Sequence, residues 1–195
     1  MARLLAAERR PDPLTAFRIA RRWFTSGRRI EMQELAAELG VNRATLFRWV
    51  GSRDDLLAEI LWSLAEPTLA LAVDGAADRG APRIVDIMDR FAAMLDQADY
   101  FRAFLRREPE RALRILSTRA SAVQQRLVAA VETILREEIT HGQLKPPLPP
   151  HDLAYLIVRI VESFLYADLI TGEQPDIAKA KQAISALLGG DGAAA

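Results

Sequence analysis

The sequence predicts an all-α chain: a three-helix head built around a helix-turn-helix, followed by a larger helical body, about nine helices in all. Three observations carry this. No stretch alternates apolar and polar residues with the Val, Ile, Thr and aromatic content of a strand. Prolines stand at the starts of apolar-periodic segments and glycines at their ends, where helix termini need them. The first 53 residues hold eleven arginines (Arg3, Arg9, Arg10, Arg18, Arg21, Arg22, Arg28, Arg29, Arg43, Arg48 and Arg53) and no lysine, against five acids, a net of +6. The formal net charge of the whole chain is +0, so the remainder carries −6. A basic head on an acidic body points to a polyanionic partner for the head alone.

Composition narrows the classes further. At 195 residues, half of them hydrophobic, the chain can bury a sizeable core as one domain or two small ones. No run approaches the roughly 20 apolar residues of a membrane span. The opening MARLLAAERRPDP lacks the apolar core of a signal peptide, so the expected compartment is the cytoplasm and no membrane is expected as a partner. The absence of cysteine excludes disulfides, thiolate zinc sites and cysteine nucleophiles, and no metal site is expected.

The elements follow in order. Asp12-Pro13 reads as an N-cap and a first-turn proline opening a helix over 13–26. Two short helices are expected at 31–39 and 43–49. Ser52-Arg53-Asp54-Asp55 matches the Ser-x-x-acid start of a helix over 53–73. This places a head at 1–52 and a body at 53–195. Pro82 opens 82–96, and 99–107 follows. Pro109 opens a single long helix over 109–140, nearly 50 Å at about 1.5 Å per residue. Its apolar stripe runs Leu113, Leu116, Ala120, Val123, Leu127, Ala130 and Ile134, with Ser117-Thr118 as a candidate kink. HGQLKPPLPPH is a proline-stiffened connector.

The segment 150–170 is apolar on nearly every side, with only Arg159, Glu162 and Asp168 charged inside it. Such a helix must be covered all round. A second copy of the chain would supply the missing face, and with the amphipathic 175–188 (Ile177, Ala180, Ile184, Leu187, Leu188) it would form a symmetric four-helix homodimer interface.

The motif lies at EMQELAAELGVNRATLFRWVGSRDDLL, residues 31–57. Leu35 and Leu39 share a helical face, and Ala36 beside them lets another helix cross closely. Gly40 supplies the left-handed turn, Val41 plugs the angle, and Asn42 caps the next helix. Leu46 and Val50 face the core. This is a helix-turn-helix pattern with its apolar, small and glycine positions filled. Arg43, Ala44, Thr45, Phe47, Arg48 and Trp49 are left outward or on the flanks. Arg43 stands at the N-terminal end that reaches base edges in a major groove, where arginine grips guanine O6 and N7. Ala44 and Thr45 suit a thymine methyl, and Arg53 suits a phosphate at the next helix start. Phe47 and Trp49 remain open between the core and the DNA backbone.

These residues, with AFRIARRWFTSGRR before them, resemble the tetracycline-repressor (TetR) family of bacterial transcriptional regulators over residues 13–60. The remainder resembles it only in length and all-helical layout. The resemblance implies a three-helix DNA-binding head, a body that binds a small-molecule effector, and a terminal helix pair that dimerises. It implies repression relieved by that effector, with double-stranded operator DNA as partner and no cofactor. Gln33 aligns with a position that reaches a base or phosphate. The chain departs from the family at several positions. Phe47 stands where the family usually has a phosphate-touching Tyr, Trp49 where it often has His, and Arg53 where it often has Lys. Ile30-Glu31-Met32 stands where a Thr pair usually opens the second helix.

In the body, Trp62, Phe91, Met94, Tyr100, Phe101, Phe104 and Tyr166 are candidates to line an effector pocket, each also a natural core residue. Glu162 and Arg159, three apart on an apolar helix, either pair with each other, cross the dimer, or grip a ligand. The two histidines, His141 and His151, flank the connector, and no catalytic constellation accompanies them, so an enzyme is not expected. The rival reading is a helical interaction bundle, or a small-molecule-binding protein without sequence-specific DNA binding. It leaves the basic head unexplained.

Overall fold

A computed structural model describes residues 11–146 and 148–189. Among them are eleven helices: α1 (Pro13–Thr25), α2 (Met32–Glu38), α3 (Arg43–Val50), α4 (Arg53–Gly75), α5 (Gly80–Asp96), α6 (Asp99–Arg107), α7 (Pro109–Ser117), α8 (Val123–Thr140), α9 (Pro150–Leu165), α10 (Ala167–Ile170) and α11 (Ile177–Leu187). Arg3, Arg9 and Arg10 of the basic head lie outside the described residues. The chain parts into two compact units between Ile60 and Leu61, not at residue 52. The first turns of α4 belong to the head, where Leu56, Leu57 and Ile60 are buried.

In the head, α1, α2 and α3 pack on one another. Their ends are set by nearby residues. Asp12 accepts from the Thr15 N–H at 2.6 Å and starts α1. Gly40, at φ 64°, ends α2. The Gly40 N–H donates to Ala37 O and the Val41 N–H to Ala36 O, the pair of bonds that closes a helix through a left-handed glycine. Asn42 Oδ1 accepts from the Thr45 N–H at 2.8 Å and starts α3. Ser52 Oγ donates to Asp55 Oδ2 at 2.7 Å, and the Asp55 N–H returns to Ser52 Oγ at 3.2 Å. Glu31 at the start of α2 makes no side-chain cap, as the missing Thr pair suggests.

The body is built on α9. Helices α5, α8 and α11 pack against it, and α6 and α7 connect α5 to α8. Three of the helix ends that differ from the expected ones have a partner far away in sequence. Helix α5 starts at Gly80 rather than Pro82 because the buried Glu138 carboxylate, on α8, accepts the Gly80 N–H at 2.7 Å. Glu138 also meets Arg83 Nε at 3.3 Å. The expected helix over 109–140 is two helices. The break follows Ser117, whose carbonyl accepts from Arg159 Nη1 of α9 at 3.2 Å. Hydroxyls complete it: Thr118 Oγ1 donates to Arg114 O and Ser121 Oγ to Ile115 O, each at 2.5 Å, competing with the helical ladder. The stripe breaks with it, and Ala120 is exposed. The expected helix over 150–170 stops at Leu165, whose carbonyl accepts from Arg102 Nη1 of α6 at 3.0 Å.

Within one subunit helix α9 buries one face and leaves another open, the face that the sequence reading gives to a second copy. Leu153, Ala154, Ile157, Val158, Val161 and Leu165 are buried. One stripe stays open, through Tyr155 and Leu156, which are 45% and 37% exposed. One helix, α4, meets the length and apolarity of a membrane span, contrary to the reading of the sequence. Its Leu56, Leu57, Ile60, Leu61, Leu69 and Ala72 are buried within the protein.

Arg102 holds more than a carbonyl. It pairs with Asp96, lies 3.7 Å from Asp168, and its side chain is 12% exposed. Replacing it by Met keeps the apolar stem and removes every one of these bonds. Arg102→Met should cost about 2–3 kcal/mol in a denaturant melt, since charged hydrogen bonds and partly buried pairs are lost together. A loss below about 0.5 kcal/mol would show that the end of α9 needs no such anchor.

Candidate nucleic-acid interface and effector cavity

The outer face of the helix-turn-helix follows from its caps. With Asn42 fixing the start of α3, Leu46 turns fully inward and Val50 is half-buried. Arg43, Ala44 and Arg48 are exposed, as is Gln33 on α2, and Thr45 is half-buried. Phe47 and Trp49 are neither core nor free: both are half-buried, and the Arg43 guanidinium lies 5.1 Å over the Phe47 ring. That stacking steers the Arg43 guanidinium.

Ion pairs sort the head's arginines. Arg22 lies 3.6 Å from Glu38, Arg28 is 2.8 Å from Glu34, and Arg29 is 2.9 Å from Glu31. Arg28 also stacks 3.5 Å over the Trp23 ring. Arg53, expected at a phosphate, is half-buried and gives Nε to the Ile30 carbonyl at 2.5 Å. It ties the start of α4 to the loop before α2. Among the described residues, Arg43 and Arg48 on α3 face no acid. The unneutralised charge of the motif is thus concentrated on the helix that the turn presents.

The body holds a cavity of about 40 Å³ lined from six helices and the Tyr166 turn. Trp62 of α4, Phe91 of α5, Tyr100 and Phe101 of α6, Glu162 of α9 and Tyr166 all line it. Met94 and Phe104 do not. Phe91 and Leu95, one turn apart, take the cavity face of α5, which leaves Met94 off it, and Phe104 is buried in the core. Leu61, Leu64, Ala65, Leu95, Leu116, Val123 and Leu127 line it unpredicted. They are aliphatic residues on helical stripes, with no sequence signal to separate wall from core. Leu116 and Val123 reach the wall from either side of the α7–α8 break.

Glu162 is the charged member of this wall, 5% exposed, with Arg159 Nη1 2.6 Å from its Oε2. The pair therefore closes within one subunit. Burial pushes the Glu162 carboxyl up to about 7, against the pull of Arg159 and the Ser117 hydroxyl. Burial, reinforced by the neighbouring Glu162, likewise pushes the Tyr166 phenol up, keeping it neutral.

The Glu162 shift has a consequence for stability. The folded value is raised above its ordinary 4.5. Between the two values the folded protein binds more protons than the unfolded chain, so the group's contribution is present at low pH and is lost as pH rises to about 7. Melting temperature should therefore fall from pH 5 to pH 8 more steeply in the native protein than in Glu162→Gln. Parallel curves would contradict a buried, raised carboxyl.

Comparison with known proteins matches residues 79–189 to the family model described as "Tetracyclin repressor-like, C-terminal domain". The transcriptional repressor QsdR of R. erythropolis, from the TetR family, superposes with a TM-score of 0.85 at 32% identity, over 91% of this chain and 94% of that one. FadR from Bacillus subtilis, a transcriptional regulator solved with stearoyl-CoA, shares the fold at TM-score 0.55 and 12% identity, over 91% and 98% of the two chains. No curated protein sequence matches the chain.

Proposed function

Since this chain belongs to the TetR family of transcriptional regulators, we propose that it acts as a homodimeric repressor, released from a two-fold operator when a small molecule enters the body. The observation that carries the DNA half is the charge pattern of the head. Arg22, Arg28 and Arg29 are matched with acids, while Arg43 and Arg48 stand unmatched on the outer face of α3. In this reading Arg43, Ala44 and Thr45 meet base edges, and Gln33 and Arg48 flank them. Phe47 and Trp49 pack on the DNA backbone, and Arg53 positions α4. Asn42 aims the helix by capping it.

The two subunits join through α9 and α11, with the exposed Tyr155 and Leu156 stripe at the centre. Dimerisation sets the two α3 helices about 34–36 Å apart, one turn of DNA. Helix α4 is the coupling element. Leu61, Trp62, Leu64 and Ala65 line the cavity, and Leu56, Leu57 and Ile60 of the same unbroken helix are buried in the head unit. At about 40 Å³ the cavity has room for a few waters, far below the roughly 300 Å³ or more of typical ligand sites. An effector therefore parts the walls as it enters. It favours the open form by binding that form better, and α4 carries the difference to the head.

Footprinting on DNA upstream of the protein's own gene should protect a two-fold site, with affinity falling steeply as salt rises. Sequence-blind binding would refute the proposal. Arg43→Ala should cost about 1–3 kcal/mol at particular base pairs, and an equal loss on all sequences would move Arg43 to a phosphate. Leu156→Glu should shift the dimer to monomer in sedimentation and abolish the footprint, whereas an intact dimer would place the interface elsewhere. A small-molecule screen for raised melting temperature, followed by loss of the footprint, would identify effectors.

A further inference from the structure

The cavity wall contains one carboxylate and no cationic side chain. The arginines near it have other work. Arg159 Nη1 is shared between Glu162 Oε2 and the Ser117 carbonyl. Arg102 serves Leu165 O, Asp96 and Asp168. Arg126 lies 5.9 Å over the Trp62 ring. The groups that act on Glu162 from the packed elements are Arg159 on its own helix, Ser117 on α7 and Tyr166 after α9, and Tyr100 of α6 lines the same cavity. Helices α4, α5 and α8 present only Trp62, aliphatic residues and Phe91.

Arg159 balances the Glu162 charge, but the carboxylate lines the cavity and the guanidinium does not, so the wall presents the negative end of the pair. Around it stand Trp62, Phe91, Tyr100, Phe101 and Tyr166, whose ring faces carry negative potential. A positive nitrogen is favoured by both features. An anion would meet the carboxylate with no cation on the wall to offset it.

We propose that the cavity takes a small hydrophobic monocation, an amine or a quaternary ammonium, with its nitrogen held between the Glu162 carboxylate and the aromatic wall. This rests on the reading of the cavity as the effector site, and it names the chemical class of the effector. The cation–π attraction and the carboxylate act together in a site shielded from water, where each is stronger than at a surface.

A pair of isosteric probes tests it. Benzyltrimethylammonium and its neutral carbon analogue neopentylbenzene are titrated separately into the full chain at pH 6 and pH 8, with binding read by tryptophan fluorescence. The cation should bind at least roughly tenfold tighter than the neutral probe. Its affinity should rise roughly tenfold from pH 6 to pH 8, because Glu162 titrates near 7 and must lose its proton to hold the cation. Glu162→Gln should remove the preference for charge, and Leu127→Trp, which fills the cavity, should abolish binding of the cation. Equal or tighter binding of the neutral probe, or a cation affinity that does not change with pH, would overturn the inference. The cavity would then remain a site for neutral effectors. Binding of neither probe would also overturn it, and the melting-temperature screen then decides separately whether the cavity takes any effector.

Discussion

The hydrogen bond from Arg159 to the last carbonyl of α7 is the contact on which the body's interior depends. It ends α7 at Ser117, turns the chain through residues 118–122, and lets Leu116 and Val123 meet across the break as parts of one wall. The same guanidinium holds the buried Glu162. One side chain on α9 therefore fixes where a neighbouring helix stops and what charge the cavity presents. A continuous helix over 109–140 would erase both. Arg102 at the end of α9 and Glu138 at the start of α5 do comparable work. Each satisfies a backbone group that a helix end leaves without an intrahelical partner.

The head is organised differently. Its helix ends are closed by residues within a few positions of the groups they satisfy. Gly51 shows how tightly the segment is specified. It sits at φ 69°, and a Cβ there would lie 2.7 Å from Asp55 Oδ2, the oxygen that Ser52 uses to start α4. The charge pattern then follows from helix geometry. Glu31 and Glu34 fall beside the arginines that follow α1, and among the described residues no acid pairs with Arg43 or Arg48. The outcome is a short helix whose exposed face carries Arg43 and Arg48, held to the head by the buried Leu46.

Helix α4 has residues in both units. The cavity that it helps to line measures about 40 Å³, so its walls are closely packed.

The sequence by itself determined the all-helical class, the head's motif and its caps, because each depends on residues a few positions apart. Asp12 with Thr15, Asn42 with Thr45 and Ser52 with Asp55 are all three apart, and Gly40 acts on its own helix. It also marked Glu162 and Arg159 as unusual, since charges on an apolar helix need an explanation. Tertiary structure alone decided the ends of α5, α7 and α9, because their partners lie 58, 42 and 63 residues away. It decided which apolar residues line the cavity, placing Leu116 and Val123 there and keeping Met94 and Phe104 out. A helical stripe records that a residue faces inward. Only the packing of neighbouring helices determines whether it meets another side chain or an opening.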